Sequence, residues 1–194
     1  MTFDPLYAFV FAGLFSPGPN VIMLTASGAR FGFKRTVPHI LGVALGVGIT
    51  SGITGYGIGE LLLAIPSLVF ALKCAAAGWI LWMAYALFAS RRAESPDEAG
   101  RPFTMIEAIL FQWVNPKVWA VALAAASGYS SGLSPAGEAV RLATAFSGIN
   151  LGVCLFWAMS GSLLTRLLKS PAAWRKFTTV MAAALALSAL MVFF

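Results

Sequence analysis

Charge is what this sequence has least of. Asp, Glu, Lys and Arg together fill 10% of its 194 positions, where a soluble domain carries about 25%. With 59% hydrophobic residues and a mean hydropathy of +0.84, the chain cannot hide its apolar surface in a water-soluble fold of this length. In lipid it has no need to. Cysteine is equally sparse. Cys74 and Cys154 stand far apart inside apolar stretches, and there is no CxxC or Cys/His cluster. That pattern gives no disulfide framework and no zinc site, and both cysteines read as small buried hydrophobes. Nothing points to a cofactor. The net charge of +6 does not imply nucleic acid, because no basic stripe is interleaved with exposed aromatics. The first apolar stretch is not a signal peptide: it lacks a basic n-region, runs too long and is followed by further spans.

Long apolar runs are abundant. Six can cross a hydrocarbon core of roughly 30 Å, at Pro5–Gly28, His39–Ile65, Leu68–Ala89, Met105–Ser127, Val140–Leu164 and Phe177–Phe194. The expected fold is all-α and integral to the membrane, one polytopic domain over residues 1–194. Basic residues fix its orientation. Arg30, Lys34 and Arg35 lie in the first connector, Arg91, Arg92 and Arg101 in the third, and Arg166, Lys169, Arg175 and Lys176 in the fifth. The odd connectors thus hold 10 of the 13 basic residues, and the even connectors and both termini hold none. By the positive-inside rule the odd connectors are cytoplasmic and both termini face outward.

The two halves, approximately 1–95 and 104–194 around the connector 90–104, match each other. Ala12-Gly13-Leu14-Phe15 resembles Ala108-Ile109-Leu110-Phe111. Gly42, Leu45, Gly46, Val47 and Gly55 recur as Gly148, Leu151, Gly152, Val153 and Gly161. Three spans per half give the halves opposite polarity, the inverted repeat of many secondary transporters.

Both halves break their first span. Ser16-Pro17-Gly18-Pro19-Asn20 removes two backbone donors in mid-span, and Asn115-Pro116-Lys117 does the same in span 4. Irregular backbone at this depth must face protein or a wet cavity. Asn115 reads as an N-cap with Pro116 at the first helical position, and Asn20 is placed to cap the restarted half of span 1. Paired broken helices point to a midplane binding site, whose half-helix N-termini suit a carboxylate.

Lys117 lies too deep to snorkel easily, at a cost of at least about 2.5–3.5 kcal/mol on insertion scales. Two readings stand. It is a counter-charge or proton-exchanging group for a substrate, or it is satisfied by carbonyls freed at a break. Asn150, mid-span 5, lines the cavity or glues helices. The candidate substrate-binding residues are therefore Ser16, Pro17, Gly18, Pro19, Asn20, Asn115, Pro116, Lys117 and Asn150.

Glu60, Lys73, Glu107 and Arg141 fall near span ends, where interfacial solvation explains them; Glu60 and Lys73 flank one short connector and are placed to pair. His39 is expected at the cytoplasmic interface. The tryptophans, among them Trp79, Trp82, Trp113, Trp119 and Trp157, read as lipid or core contacts. The small-xxx-small pairs Gly42/Gly46, Gly48/Gly52 and Gly55/Gly59 read as packing seams.

Taken together, Phe15-Ser16-Pro17-Gly18-Pro19-Asn20, Gly42/Gly46, Pro66 with Phe70, Leu72 and Lys73, and Asn115-Pro116-Lys117 resemble the lysine exporter / homoserine–threonine resistance family of amino-acid exporters. The likeness runs over nearly the whole length. It implies efflux of amino acids or amino-acid-like metabolites across a bacterial cytoplasmic (inner) membrane, driven by the proton motive force. The partners it leaves room for are a small-molecule substrate, the lipid bilayer and a second copy in a homo-oligomer. Span 3 departs from the family, with Trp79-Ile80-Leu81-Trp82 after Gly78 where members often have a Tyr-Leu pair and a further glycine, so the substrate does not transfer. Other readings are a metal-ion or other small-solute exporter, which lacks mid-span acids, a membrane thiol redox protein, which lacks paired thiols, and a non-transporting scaffold. No enzymatic constellation is present.

Overall fold

The computed structural model describes residues 4–58, 64–89, 101–165, 168 and 170–193, and these form helices and their connections, without strands. Eight α-helices are described: α1 (Pro5–Phe15), α2 (Pro19–Phe31), α3 (Phe33–Gly55), α4 (Pro66–Phe88), α5 (Met105–Val114), α6 (Pro116–Gly128), α7 (Pro135–Leu164) and α8 (Pro171–Leu190). A short 3₁₀ turn (Met191–Phe193) follows α8. Helices α3, α4, α7 and α8 are long and apolar enough to cross a membrane. The pairs α1–α2 and α5–α6 pass the same test jointly, bent by 60° and 66°. Counting each bent pair once gives six spans.

The helices begin where side chains can cap them and a proline fits the first turn. Asp4 accepts from the Leu6 N–H (2.9 Å) ahead of Pro5. Ser134 and Ser170 accept from Gly137 and Ala173 ahead of Pro135 and Pro171. Thr104 forms a capping box with Glu107. These caps start α7 and α8 earlier than hydropathy alone places them, at Pro135 rather than Val140 and at Pro171 rather than Phe177. The first connector likewise shrinks from Ala29–Pro38 to Gly32, whose φ of 78° turns α2 into α3. In all three cases the first turn is too polar to register as apolar, yet it is helical.

Helices α3 and α7 cross at the centre, packing on each other more extensively than any other pair. Leu6, Val10, Leu24, Val43, Val47, Leu142 and Phe146 are buried around that crossing. A second core joins Ile22, Met23, Ile80, Met83, Phe111 and Leu185 between α2, α4, α5 and α8. Helices α4 and α8 lie against each other at the side of the bundle. They leave Phe70, Trp82, Tyr85, Val180 and Leu187 exposed, an apolar face suited to lipid.

The glycine seams lie within the bundle. Gly42 and Gly46 touch α5, while Gly48, Gly52 and Gly55 touch α7; Gly59 lies outside the described residues. The closest approach is between α2 and α7, where a Cβ on Gly28 would run into the Ala158 backbone and one on Gly161 into the Thr25 carbonyl. Gly148 and Gly152, the sequence counterparts of Gly42 and Gly46, have open space in front of them.

Two of the charges near the span ends, Arg141 and Glu107, are paired as well as solvated. At the end of the bundle carrying the N-terminus, Arg141 donates to Asp4 (2.7 Å), to Glu138 (3.2 Å) and to the Tyr129 carbonyl (2.7 Å). At the opposite end, Arg101 holds both oxygens of Glu107 at 2.6 Å. Glu60, Arg91, Arg92, Arg166 and Lys169 lie outside the described residues, as does the expected Glu60–Lys73 pairing.

Candidate functional site

Each break releases backbone groups. Helix α1 stops at Phe15 and α2 restarts at Pro19, so the carbonyls of Ser16 and Pro17 have no helical donors to meet. Lys117, in the first turn of α6, supplies one: its ammonium donates to the Ser16 carbonyl and, at 3.4 Å, to that of Pro17. Gly18 makes room for this crossing, since a Cβ there would stand 2.9 Å from Lys117 Cδ and 3.1 Å from its Nζ. The lysine of one break therefore closes the hydrogen-bonding of the other, and two of its three donors are used.

The second link is made of amides. Asn20 donates to Gln112 Oε1 at 2.8 Å, and Gln112 Nε2 donates back to Asn20 Oδ1 at 3.2 Å. Gln112 also donates to the Ala108 carbonyl (2.9 Å) and accepts from Asn115 (3.3 Å). Asn115 caps α6 as expected, accepting from the Lys117 N–H at 3.2 Å. Asn20 does not cap α2. Gly18 holds the N-cap position without a side-chain bond. Asn20 sits two residues further on, inside the first turn, and its amide is turned across to Gln112. The first turn of α2 is thus left without a side-chain cap, its dipole end facing the break.

Two cavities adjoin the breaks. The larger, of about 480 Å³, is walled by Pro17–Pro19, by Asn115–Lys117, by the N-terminal part of α4 (Val69, Leu72, Lys73), by Trp113 and Trp119, and by the end of α8. That volume lies within the range of small-molecule sites. The smaller, about 10 Å³, lies behind the breaks and has room for about one water. Asn20, Asn115, Lys117, Asn150 and Cys154 line it. Asn150 is buried and its Nδ2 has no partner. Among the described residues no Asp or Glu lines either cavity, so the formal charge there is positive.

A family model for LysE type translocators matches residues 11–194, both breaks included. The chain belongs to that family. It is accordingly a transporter and not an enzyme, and its apolar helices are those of a multi-pass membrane protein. Among curated relatives, the cysteine/O-acetylserine efflux protein of Escherichia coli strain K12 is 28% identical over 186 residues, 92% of this chain and 91% of that protein. The protein of the same name from Shigella flexneri gives the same figures. That of Escherichia coli O139:H28 (strain E24377A / ETEC) is 29% identical over 161 residues, 79% of each chain. No solved structure matches.

All nine residues singled out from the sequence meet around this translocator's breaks, with Ser16 contributing its backbone carbonyl. Several neighbours escaped sequence reading. Gln112 is wholly buried and central to the amide cluster, yet only its polarity within an apolar helix marks it in the sequence. Trp113 and Trp119 are cavity walls, with the Trp119 indole donating to the Trp113 carbonyl at 2.9 Å. Lys73 lines the cavity as well. Cys154 is buried beside the break, whereas Cys74, expected to be buried, is exposed. His39 is buried within the protein, 2% exposed, in α3, which begins six residues earlier than the apolar run.

Proposed function

We propose that this translocator exports small neutral amino acids or amino-acid-like metabolites across the bacterial inner membrane, and that the 480 Å³ cavity is its outward-facing binding site. The observation that carries the reading is the position of Lys117. Its ammonium lies against the released carbonyls of Ser16 and Pro17, beside the uncapped start of α2. A substrate carboxylate arriving there would take the lysine's remaining donor and the α2 dipole end. The apolar walls and the lack of an acid among the described lining residues favour an uncharged side chain over a cationic one. The printed names of the relatives, cysteine and O-acetylserine efflux, accord with that choice.

Transport would proceed by alternating access. The 480 Å³ cavity sits at the N-terminal end of α2 and α4. A separate cavity of about 220 Å³ sits at their C-terminal ends. Ile22, Ala76, Ile80 and Phe111 are packed in the core between the ends. The element order, a bent pair followed by two long helices, occurs twice, and the central α3–α7 and lateral α4–α8 contacts each pair equivalent helices. Both features support two inverted repeats rocking on one another. With the basic connectors inside, the termini and the larger cavity face the periplasm. The proton motive force is the proposed energy source.

Reconstitution into proteoliposomes tests the reading with O-acetylserine and cysteine, each measured with and without an imposed pH gradient. Removal of one charge-assisted contact, about 1.5–3 kcal/mol, lowers transport by Lys117→Ala about tenfold or more. Full activity in that variant removes Lys117 from the mechanism, and efflux indifferent to the gradient removes proton coupling.

A further inference from the structure

The cavity at the opposite end of α2 carries polar groups that the transport reading above does not use. It measures about 220 Å³ and is bounded by the C-terminal turns of α2, by α3, by the C-terminal half of α4 and by residues 101–103. Arg30, His39, Arg101 and Ser27 supply its polar wall, and Trp82 and Phe103 are among its apolar residues. His39 is 2% exposed, and neither ring nitrogen has a hydrogen-bond partner. The Phe103 ring lies 5.2 Å away between centroids, and the Glu107 carboxylate is near enough to act on the imidazole electrostatically. Arg30, half-buried, shares this in part. Its Nε is buried without a partner, and its guanidinium lies over the Phe31 ring at 5.3 Å rather than against an acid.

Among the described residues, the other charged and hydroxyl groups lining this cavity already have partners. Arg101 is held by both oxygens of Glu107, so that acid is unavailable to Arg30. Ser27 and Thr36 share a hydroxyl–hydroxyl bond at 3.1 Å. Among the described residues, both ring nitrogens of His39 and the Nε of Arg30 are buried without partners, exceptions to the rule that buried polar groups are paired. Both side chains are donors, both border one cavity, and among the described residues no Asp or Glu lines it.

We infer that this cavity is a second binding site, for a monocarboxylate with an apolar body, whose carboxylate is received by Arg30 and His39. A planar guanidinium suits two carboxylate oxygens, and an imidazole N–H adds a third donor. Met23, Trp82, Met83 and Leu185 would cover the apolar remainder. That an exported amino acid is loaded here from the basic side rests on the exporter reading; binding itself does not.

Trp82 gives a readout that needs no transport. Purified protein is titrated with 4-bromobenzoate, and with 4-bromobenzamide as its uncharged counterpart, while tryptophan emission is followed. Trp82 also borders a neighbouring cavity with Trp79 and Glu107, so this cavity is reported by the part of the quenching that is lost in Trp82→Phe and weakened in Arg30→Gln. The expected result is a Trp82 component that saturates at least about tenfold earlier with the benzoate than with the amide. Arg30→Gln and His39→Gln should each shift that saturation by about tenfold. Equal quenching by the two probes in the unmodified protein overturns the inference without any variant having to fold. Saturation unchanged in both Arg30→Gln and His39→Gln overturns it too. Since no step depends on export, failure here leaves the exporter reading standing, and failure of export leaves this result standing.

Discussion

Asn20 and Gln112 hold each other by two reciprocal amide hydrogen bonds, at 2.8 and 3.2 Å, across the gap between the two broken spans. Neither residue has another partner of equal reach on the far side, so this pair and the Lys117 crossing tie the two breaks together. In membranes such interhelical bonds average about 0.6 kcal/mol and reach about 1.7. A double-mutant cycle of Asn20→Ala and Gln112→Ala, read by thermal unfolding in detergent, should return a coupling in that range. Strict additivity would show that the pair is incidental.

The α2–α7 crossing provides its own control. Gly161→Val forces a side chain into the Thr25 backbone, and overpacking of this kind costs about 1–3 kcal/mol or more. Gly148→Val on the same helix meets open space. The first variant should lose most folded protein in size-exclusion chromatography, and the second should keep it.

Gly18→Val should act on the site rather than the fold, because the atoms it meets belong to the flexible Lys117 side chain. Folded yield should hold while transport falls about tenfold, the loss of one charge-assisted contact of about 1.5–3 kcal/mol. Transport equal to that of the unmodified protein would show that the ammonium need not lie on the Ser16 and Pro17 carbonyls.

Asp4 gives a pH signature at the terminal end of the bundle. The hydrogen bond from Arg141, aided by that from the Leu6 N–H, holds its carboxyl below the ordinary value of 3.8. A lowered folded-state pKa means stability that is present above the unfolded value and lost as pH falls through the folded one. Melting temperatures should therefore converge between the unmodified protein and Asp4→Asn as pH drops below about 4, and separate again above it. Parallel curves would show that the Asp4–Arg141 pair is not formed in solution.

Much of this was legible in the residues themselves. Proline in mid-span, and asparagine before proline at Asn115, have local consequences that no packing can cancel, so both breaks and the α6 cap follow from the chain alone. Residues whose role depends on a partner across the bundle were not legible. Asn20 looks like a cap until Gln112 is seen opposite it, and Trp113 looks lipid-facing until the end of α8 closes a cavity over it. The burial of His39 and the true start of its helix were hidden for a different reason. Hydropathy starts a span where charge ends, whereas Phe33–Pro38 is charged and helical at once. The repeated glycines mislead similarly, since Gly42 is a contact and Gly148 is open.

The central claim is that the two breaks form the substrate site through Lys117. Equilibrium binding of radiolabelled O-acetylserine to purified protein tests it most directly, comparing Lys117→Gln with Lys73→Gln, a lysine on the wall of the same cavity. The account expects Lys117→Gln to weaken binding about tenfold or more and Lys73→Gln to change it little. Binding undiminished in Lys117→Gln would contradict it.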